Sequence, residues 1–380
     1  MPRQAQQFDN VWLALKKILT VVLGILVPLF LIEVAMRVFA IKPERYHMPK
    51  RLVEINGHFV DVGWGGSNPY IKEFSPEQPM GKMIPNTIYK YQYASDPNHY
   101  FSKGYTVPVN INNLGLRGKD TTLVKPMDVT RILAIGDSFT LGAGVYDGDA
   151  FPAQFEQRLQ LNGDQKFEVL NAGVEGYNTR DAVYALETQW LVLKPDIVVL
   201  TFYLNDAYGD QAIPNKGQDL GIYLAPSGVG RLSYVYDFFA HRLAVKKIAS
   251  LREEYFSKPY FKNPARGIAP DDANFDWNSG RKALVRLKEL SKQHQFRILF
   301  VLYPELTGLK KAPYPFVNLH NFVSGYVKSL GIDTLDLLPY FVGKEDSDLW
   351  VHPSDHHPNK KAHSIAANAI VRHLKLLTVP

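Results

Sequence analysis

The chain has 380 residues, 46% of them hydrophobic, with 43 Lys and Arg against 37 Asp and Glu for a formal charge of +6. That composition can fill a large core, which excludes a disordered chain, and it is too polar for a polytopic membrane protein. The chain has no cysteine, which removes disulfides, thiolate metal sites, a Cys nucleophile and a lipidated Cys; with no Lys/Arg run interleaved with aromatics, no nucleic-acid partner is expected either.

The first element is an apolar run. Ile18 to Ile32 (ILTVVLGILVPLFLI) carries no charge, and the stretch stays apolar to Ala40 apart from Glu33 and Arg37. A helix needs about 20 residues to cross a bilayer core. The 23 residues from Ile18 to Ala40 suffice, with Glu33 and Arg37 in the last two turns, where long side chains reach the headgroups. Residues 1–40 are therefore expected to hold a signal-anchor transmembrane helix. A cleaved signal peptide ending near Val38-Phe39-Ala40 and a buried core helix are the competing readings. Arg3, Lys16 and Lys17 precede the run, whereas Arg37, Lys42, Arg45, Lys50 and Arg51 come after it. This count mildly opposes export of the C-terminal part, a rule that a long domain after the helix can override.

Residues 41–128 are rich in turn formers and poor in long periodic stretches. WGGSNPY (64–70) and EQPMGKMIPN (77–86) read as loops, and Tyr105 to Asn110 reads as a short strand before the turn INNLGLRG. An irregular N-terminal subdomain or a strand-rich collar is expected here, not an independent enzyme.

From residue 129 to 380 the pattern alternates. VTRILAIGDSF predicts a first core strand ending in a loop, DAFPAQFEQRLQL a helix, and KFEVLNAG a second strand. Thr179 to Leu193 predicts a helix with Thr179 as its N-cap. DIVVLTFYLND is a third strand, Gly280 to His294 a helix, FRILFVLYP a fourth strand, Phe316 to Leu330 a helix, IDTLDLL a fifth strand, and Asn359 to Leu377 a closing helix. Near-continuous apolar strands separated by helices predict an α/β fold, with a parallel sheet of about five strands covered on both faces. Such sheets hold their sites at the C-terminal strand ends. Residues 207–278 interrupt the alternation as an insertion. It contains an amphipathic stretch near 231–252, with Leu232, Val235, Phe239, Leu243 and Ile248 on one side and Arg242, Lys246, Lys247 and Arg252 around it. Packing on the core is expected for this face; a lid or a membrane-surface helix is the alternative.

The chemistry gathers at those strand ends. Gly136-Asp137-Ser138-Phe139-Thr140 closes the first strand, and Ser138 can present a hydroxyl there, although Thr140 breaks the GxSxG elbow pattern. Asn171-Ala172-Gly173-Val174-Glu175-Gly176 closes the second. A glycine there, Gly176 or Gly173, can offer a backbone N–H to an oxyanion. Asn205-Asp206 closes the third, and the Asn205 amide can do the same. Near the C-terminus, Asp355 and His357 stand in WVHPSDHHPN beside His352 and His356. A serine nucleophile needs a base and the base an orienting carboxylate. A metal site is the other use for this His/Asp density, but no second cluster completes one, so neither metal nor cofactor is expected.

Taken in this order, the four stations resemble the SGNH (GDSL-type) hydrolase superfamily over roughly residues 129–377. The resemblance implies a three-layer α/β/α sandwich with Ser138 as nucleophile, His357 as base and Asp355 as its orienting acid. It also implies that the N–H groups of Ser138 and Gly176 and the Asn205 amide bind the oxyanion. Two features depart from the pattern. Asp355-His356-His357 is Asp-x-His where many members have Asp-x-x-His, and Tyr203 stands where Gly precedes the Asn-Asp pair. The implied activity is hydrolysis of O-acyl esters, on an acylated glycan or a lipid. Members with one N-terminal membrane helix are often found in polysaccharide O-acetylation beside a multi-spanning membrane acyltransferase partner, so acyl transfer to a polysaccharide is the alternative. A non-catalytic scaffold is the third reading. The implied location is a bacterial inner membrane, single-pass, with the catalytic domain periplasmic or otherwise extracytoplasmic.

Overall fold

The computed structural model describes residues 2–39, 49–55, 58–61, 71–72, 81–93, 95–161, 165–203, 206, 233–240, 242–243, 246, 277–353 and 355–378. The chain forms two compact units, residues 1–46 with 215–251, and residues 47–214 with 252–380.

In the first unit, helix α1 runs from Pro2 to Val38. Its segment Trp12–Val38 is 27 residues long, apolar and exposed, and is long enough to cross a membrane. At 1.5 Å per residue it spans about 40 Å, against a hydrocarbon thickness of about 30 Å. Residues 234–240, 242, 243 and 246 are helical, as the amphipathic pattern predicted. Of the face expected to pack on the core, Val235 is buried, whereas Phe239 and Leu243 are exposed. Leu232, Lys247, Ile248 and Arg252 lie outside the described residues, as does most of the 207–278 insertion.

The second unit is built on strands β7 (Val129–Gly136), β8 (Lys166–Gly173), β9 (Ile197–Phe202), β10 (Arg297–Leu302) and β11 (Asp333–Asp336). All five are parallel, in the order β11-β10-β9-β7-β8. Every residue of β9 and the last six of β7 are buried, which explains why both read as unbroken apolar runs. Helices α3 (Phe151–Gln160), α4 (Thr179–Ala185), α5 (Trp277–His294), α6 (Val317–Ser329) and α8 (Lys360–Thr378) complete the three-layer sandwich, with α3 packed on α8 and α4 on α5. The short helices α2 (Ser138–Leu141) and α7 (Leu338–Phe341) come after β7 and β11. The chain leaves β7 for β8 on one side and then crosses to β9 on the other. The sheet order therefore reverses at β7, and a crevice opens at its C-terminal end.

The helix predicted from Thr179 is present, but its cap is Asn178. That side chain accepts the Asp181 N–H while its own backbone is extended. Thr179 is free of capping duty and gives its hydroxyl to Asp206 instead. Beyond Ala185 the winding loosens to a π turn at Leu186–Trp190 and tightens again at Leu191–Leu193.

The segment expected to be irregular contains a four-stranded antiparallel sheet. Its strands are β1 (Lys50–Ile55), β2 (His58–Asp61), β5 (Thr87–Gln92) and β6 (Thr106–Ile111), in the order β2-β1-β5-β6. A two-residue pair, β3 (Ile71–Lys72) with β4 (Lys82–Met83), lies apart from it. On β5 and β6 alternate residues point inward, so Tyr89, Tyr91, Val107, Val109 and Ile111 are buried.

Candidate active site

Ser138 is the first residue of α2, directly beyond the end of β7. Asp137 stays extended and its carboxylate accepts the Phe139 N–H at 2.9 Å, which starts the helix one residue after the strand and fixes where Ser138 stands. Its N–H is at a helix start, where no intrahelical acceptor exists. The other end of α2 is held from outside. The Arg117 guanidinium donates to the carbonyls of Leu141 (2.7 Å), Gly142 (2.5 Å) and Val145 (2.5 Å) and pairs with Asp147 at 2.9 Å.

His357 comes from a hairpin of β12 (Trp350–His352) and β13 (Asp355–Pro358). On a strand, residues two apart share a face, so Asp-x-His puts Asp355 and His357 side by side. His357 Nδ1 lies 2.5 Å from Asp355 Oδ1, and His357 Nε2 lies 2.9 Å from Ser138 Oγ. The other two histidines of this segment are engaged elsewhere. His352 Nε2 is 3.0 Å from Ser95 Oγ, and the His356 ring stacks on Trp350 at 3.8 Å.

The charges are set by this geometry. Burial would raise the Asp355 carboxyl, but the His357 charge and the hydrogen bonds from His357 and Tyr93 outweigh it and hold it at about 2. For His357, burial opposes protonation, yet the Asp355 charge and hydrogen bond prevail and lift it above the ordinary imidazole value. Asp355 is thus the anion, and its charge favours the protonated form of His357.

Of the two candidate glycines, only Gly176 keeps an N–H to offer. Gly173 donates its N–H to Asn171 Oδ1 at 3.0 Å, and a Cβ on it would meet the Leu141 nitrogen at 2.2 Å. Gly173 is therefore a packing glycine, which lets β8 pass under α2. Gly176 sits in the turn beyond β8 at φ 79°, and its N–H makes no hydrogen bond among the described residues. Asn205 lies outside the described residues. Its neighbour Asp206 is buried and accepts from Thr179 Oγ1 and the Tyr203 N–H, both at 2.8 Å. Burial, then the nearby Asp137 charge, pushes the Asp206 carboxyl well above its ordinary range. Tyr203, at the position where Gly was expected, stacks on Phe139 at 3.7 Å and donates to Glu305 at 2.5 Å.

Three contributions from the N-terminal segment were not foreseen. Arg117 is the first. Second, Glu175, the residue before Gly176, is buried in an ion pair with Arg51 at 2.7 Å and accepts from the Tyr91 hydroxyl. Third, the buried Tyr93 hydroxyl donates to Asp355 Oδ2 at 2.8 Å, with its ring stacked on Phe101 at 4.4 Å. Tyr93 holds the carboxylate from the side opposite His357, so it is a positioning residue. Tyr93→Phe is expected to lower kcat/KM by about tenfold, the scale of one hydrogen bond to a charged group, with little change in melting temperature. It also leaves more negative charge on Oδ1, so the acid limb of the pH–rate profile should move up; steady-state kinetics across pH check both effects.

A parallel α/β sandwich with a serine hydroxyl, an imidazole and a carboxylate in series at its strand ends has the arrangement that serine esterases use. The chain belongs to the GDSL-like lipase/acylhydrolase family, whose profile matches residues 134–365. No curated protein matches the sequence. Among solved structures it is similar to an acetylxylan esterase from Geobacillus stearothermophilus, at 16% identity and TM-score 0.41, covering 64% of this chain and 94% of that one. It is also similar to a lipase/acylhydrolase from Enterococcus faecalis, at 16% identity and TM-score 0.40, covering 66% of this chain and 97% of that one. Likenesses this distant say nothing of substrate.

Proposed function

We propose that this chain is a membrane-anchored serine hydrolase of carboxylic O-acyl esters, acting through Ser138, His357 and Asp355. The observation that carries the reading is the unbroken series Ser138 Oγ to His357 Nε2 at 2.9 Å and His357 Nδ1 to Asp355 at 2.5 Å. Ser138 Oγ attacks the ester carbonyl carbon as His357 Nε2 takes the hydroxyl proton. Asp355 holds the Nδ1–H tautomer and offsets the imidazolium charge. The N–H groups of Ser138 and Gly176 and the Asn205 amide stabilise the tetrahedral oxyanion. Collapse breaks the bond to the alcohol, which leaves with the proton from His357. Water then repeats the sequence on the acyl-enzyme and regenerates Ser138. The apolar helix Trp12–Val38 supports the anchor.

The test is a fluorophosphonate probe on detergent-solubilised protein beside Ser138→Ala, and then p-nitrophenyl acetate release with and without oligosaccharide. Labelling that disappears in Ser138→Ala, with steady release in water alone, supports hydrolysis. A burst that turns over only with sugar replaces hydrolysis by acyl transfer. No labelling of folded protein overturns the nucleophile assignment.

The pH profile has a definite sign. The base must be neutral to accept the Ser138 proton, and its pKa is raised. Activity is therefore expected to climb with pH through a midpoint above the ordinary imidazole value of about 6.5 and to vanish below it. Rates of p-nitrophenyl acetate release from acid to neutral pH measure that midpoint.

A further inference from the structure

We infer that the helical residues 234–240, 242, 243 and 246 lie in the headgroup layer of the bilayer that α1 crosses, latched there by Glu33; this rests on the reading of α1 as an anchor. Glu33 stands five residues before the end of the Trp12–Val38 segment, roughly 7 Å along the helix axis. A carboxylate so close to hydrocarbon needs partners, and it has four. Oε2 accepts from Ser233 Oγ and the Val235 N–H, each at 3.0 Å; Oε1 accepts from the Tyr234 N–H at 3.0 Å and Arg37 Nε at 2.7 Å. The Arg37 guanidinium lies over the Tyr234 ring, 4.8 Å from its centroid. The start of the second helix is thereby fixed at the depth where the span meets the headgroups.

The residues beyond that first turn suit such a depth and no other. Val235 and Asp237 are buried, whereas Tyr236, Phe239 and Leu243 are 47%, 57% and 67% exposed. Their spacing of three and four residues places them within about 60° of arc, a single apolar stripe. Arg242 and Lys246 are exposed along one flank of it. The stripe is poorly placed in water and the cations are poorly placed in hydrocarbon. An amphipathic helix of this kind is stable with its apolar side in the acyl boundary and its cations among lipid phosphates. Continuity selects the bilayer over a protein partner, because the stripe belongs to the same compact unit as the span and is tied to it by a carboxylate.

The cysteine-free chain allows single labels without background. Full-length Leu23→Cys, Phe239→Cys, Leu243→Cys and Met127→Cys, each carrying an environment-sensitive fluorophore, would be reconstituted into phosphatidylcholine vesicles with and without phosphatidylglycerol. Spin-labelled lipids quench at the headgroup or at the acyl-chain end. Labels at 239 and 243 are expected to be quenched by the shallow probe and not the deep one, more strongly with anionic lipid. The label at 23 should respond to the deep probe and that at 127 to neither. Adding Glu33→Gln should abolish shallow quenching at 239 and 243 and leave 23 unchanged. If 23 is deep while 239 and 243 respond to neither probe, the inference is overturned and the anchor stands. If 23 fails to respond to the deep probe, the anchor itself is overturned. Shallow quenching that survives Glu33→Gln overturns the latch.

Discussion

Ser138→Ala is expected to reduce kcat by about a million-fold, His357→Ala by a similar factor, and the double variant by no more than either alone. The reason is that the two side chains act as one device. His357 Nε2, 2.9 Å from Ser138 Oγ, has no proton to accept once the hydroxyl is gone, and the hydroxyl is not nucleophilic once the base is gone. The residual rate in all three variants should be the same and should come from the oxyanion donors, which neither substitution touches. Single-turnover release of p-nitrophenol, with circular dichroism to show that each variant is folded, measures this. Multiplying effects in the double variant would mean that Ser138 and His357 serve separate steps, which the distance between them argues against. Ser138→Ala should leave the fold intact, because the helix start that positions it is capped by Asp137, not by the serine.

The core of the fold was readable because burial on both faces leaves a plain mark. VTRILAIG and DIVVLTF are apolar without alternation, and both are interior strands of a parallel sheet. Ser138, Asp355 and His357 were readable as residue types in a given order, His357 being preferred over His352 and His356 only through the resemblance. The two-residue repeat of β13 aligns Asp355 with His357 and sends His356 to Trp350. Gly176 was preferred to Gly173 only through the resemblance; the passage of β8 beneath α2 separates them physically. The N-terminal sheet was legible only as a strand-rich alternative, because its strands are short and separated by long turn-rich segments, although TIYKYQ does alternate, with both tyrosines inward. Tyr93 and Asp355 stand 262 positions apart. No local pattern marks such a contact, since it depends on how one sheet docks against another.

Arg117 is the clearest case of function hidden in such long-range contacts, and Arg117→Ala is expected to destabilise the protein by about 3 kcal/mol, the upper scale for leaving buried acceptors without their donor. Its side chain is 1% exposed and meets four acceptors: three carbonyls at and just beyond the end of α2 and the carboxylate of Asp147. Short helices end with carbonyls that have no intrahelical partner, and a cation there also suits the negative end of the helix dipole. Without it, the Gly142 and Val145 carbonyls lose this donor, the Leu141 carbonyl keeps Asn171 Nδ2, and Asp147 keeps Asn110 but loses its cation. Arg117→Lys should recover only part of the loss, because one ammonium cannot span acceptors that a planar fork reaches together. Urea unfolding of the three proteins gives the stability order, and fluorophosphonate labelling below the transition reads the site. Slower labelling of folded Arg117→Lys, with Asp355 and His357 untouched, would mean that α2 has shifted and carried Ser138 with it. Equal stability and equal labelling in Arg117→Ala would mean that α2 is held by its own glycine cap, Gly142, and that Arg117 takes no part in placing the nucleophile.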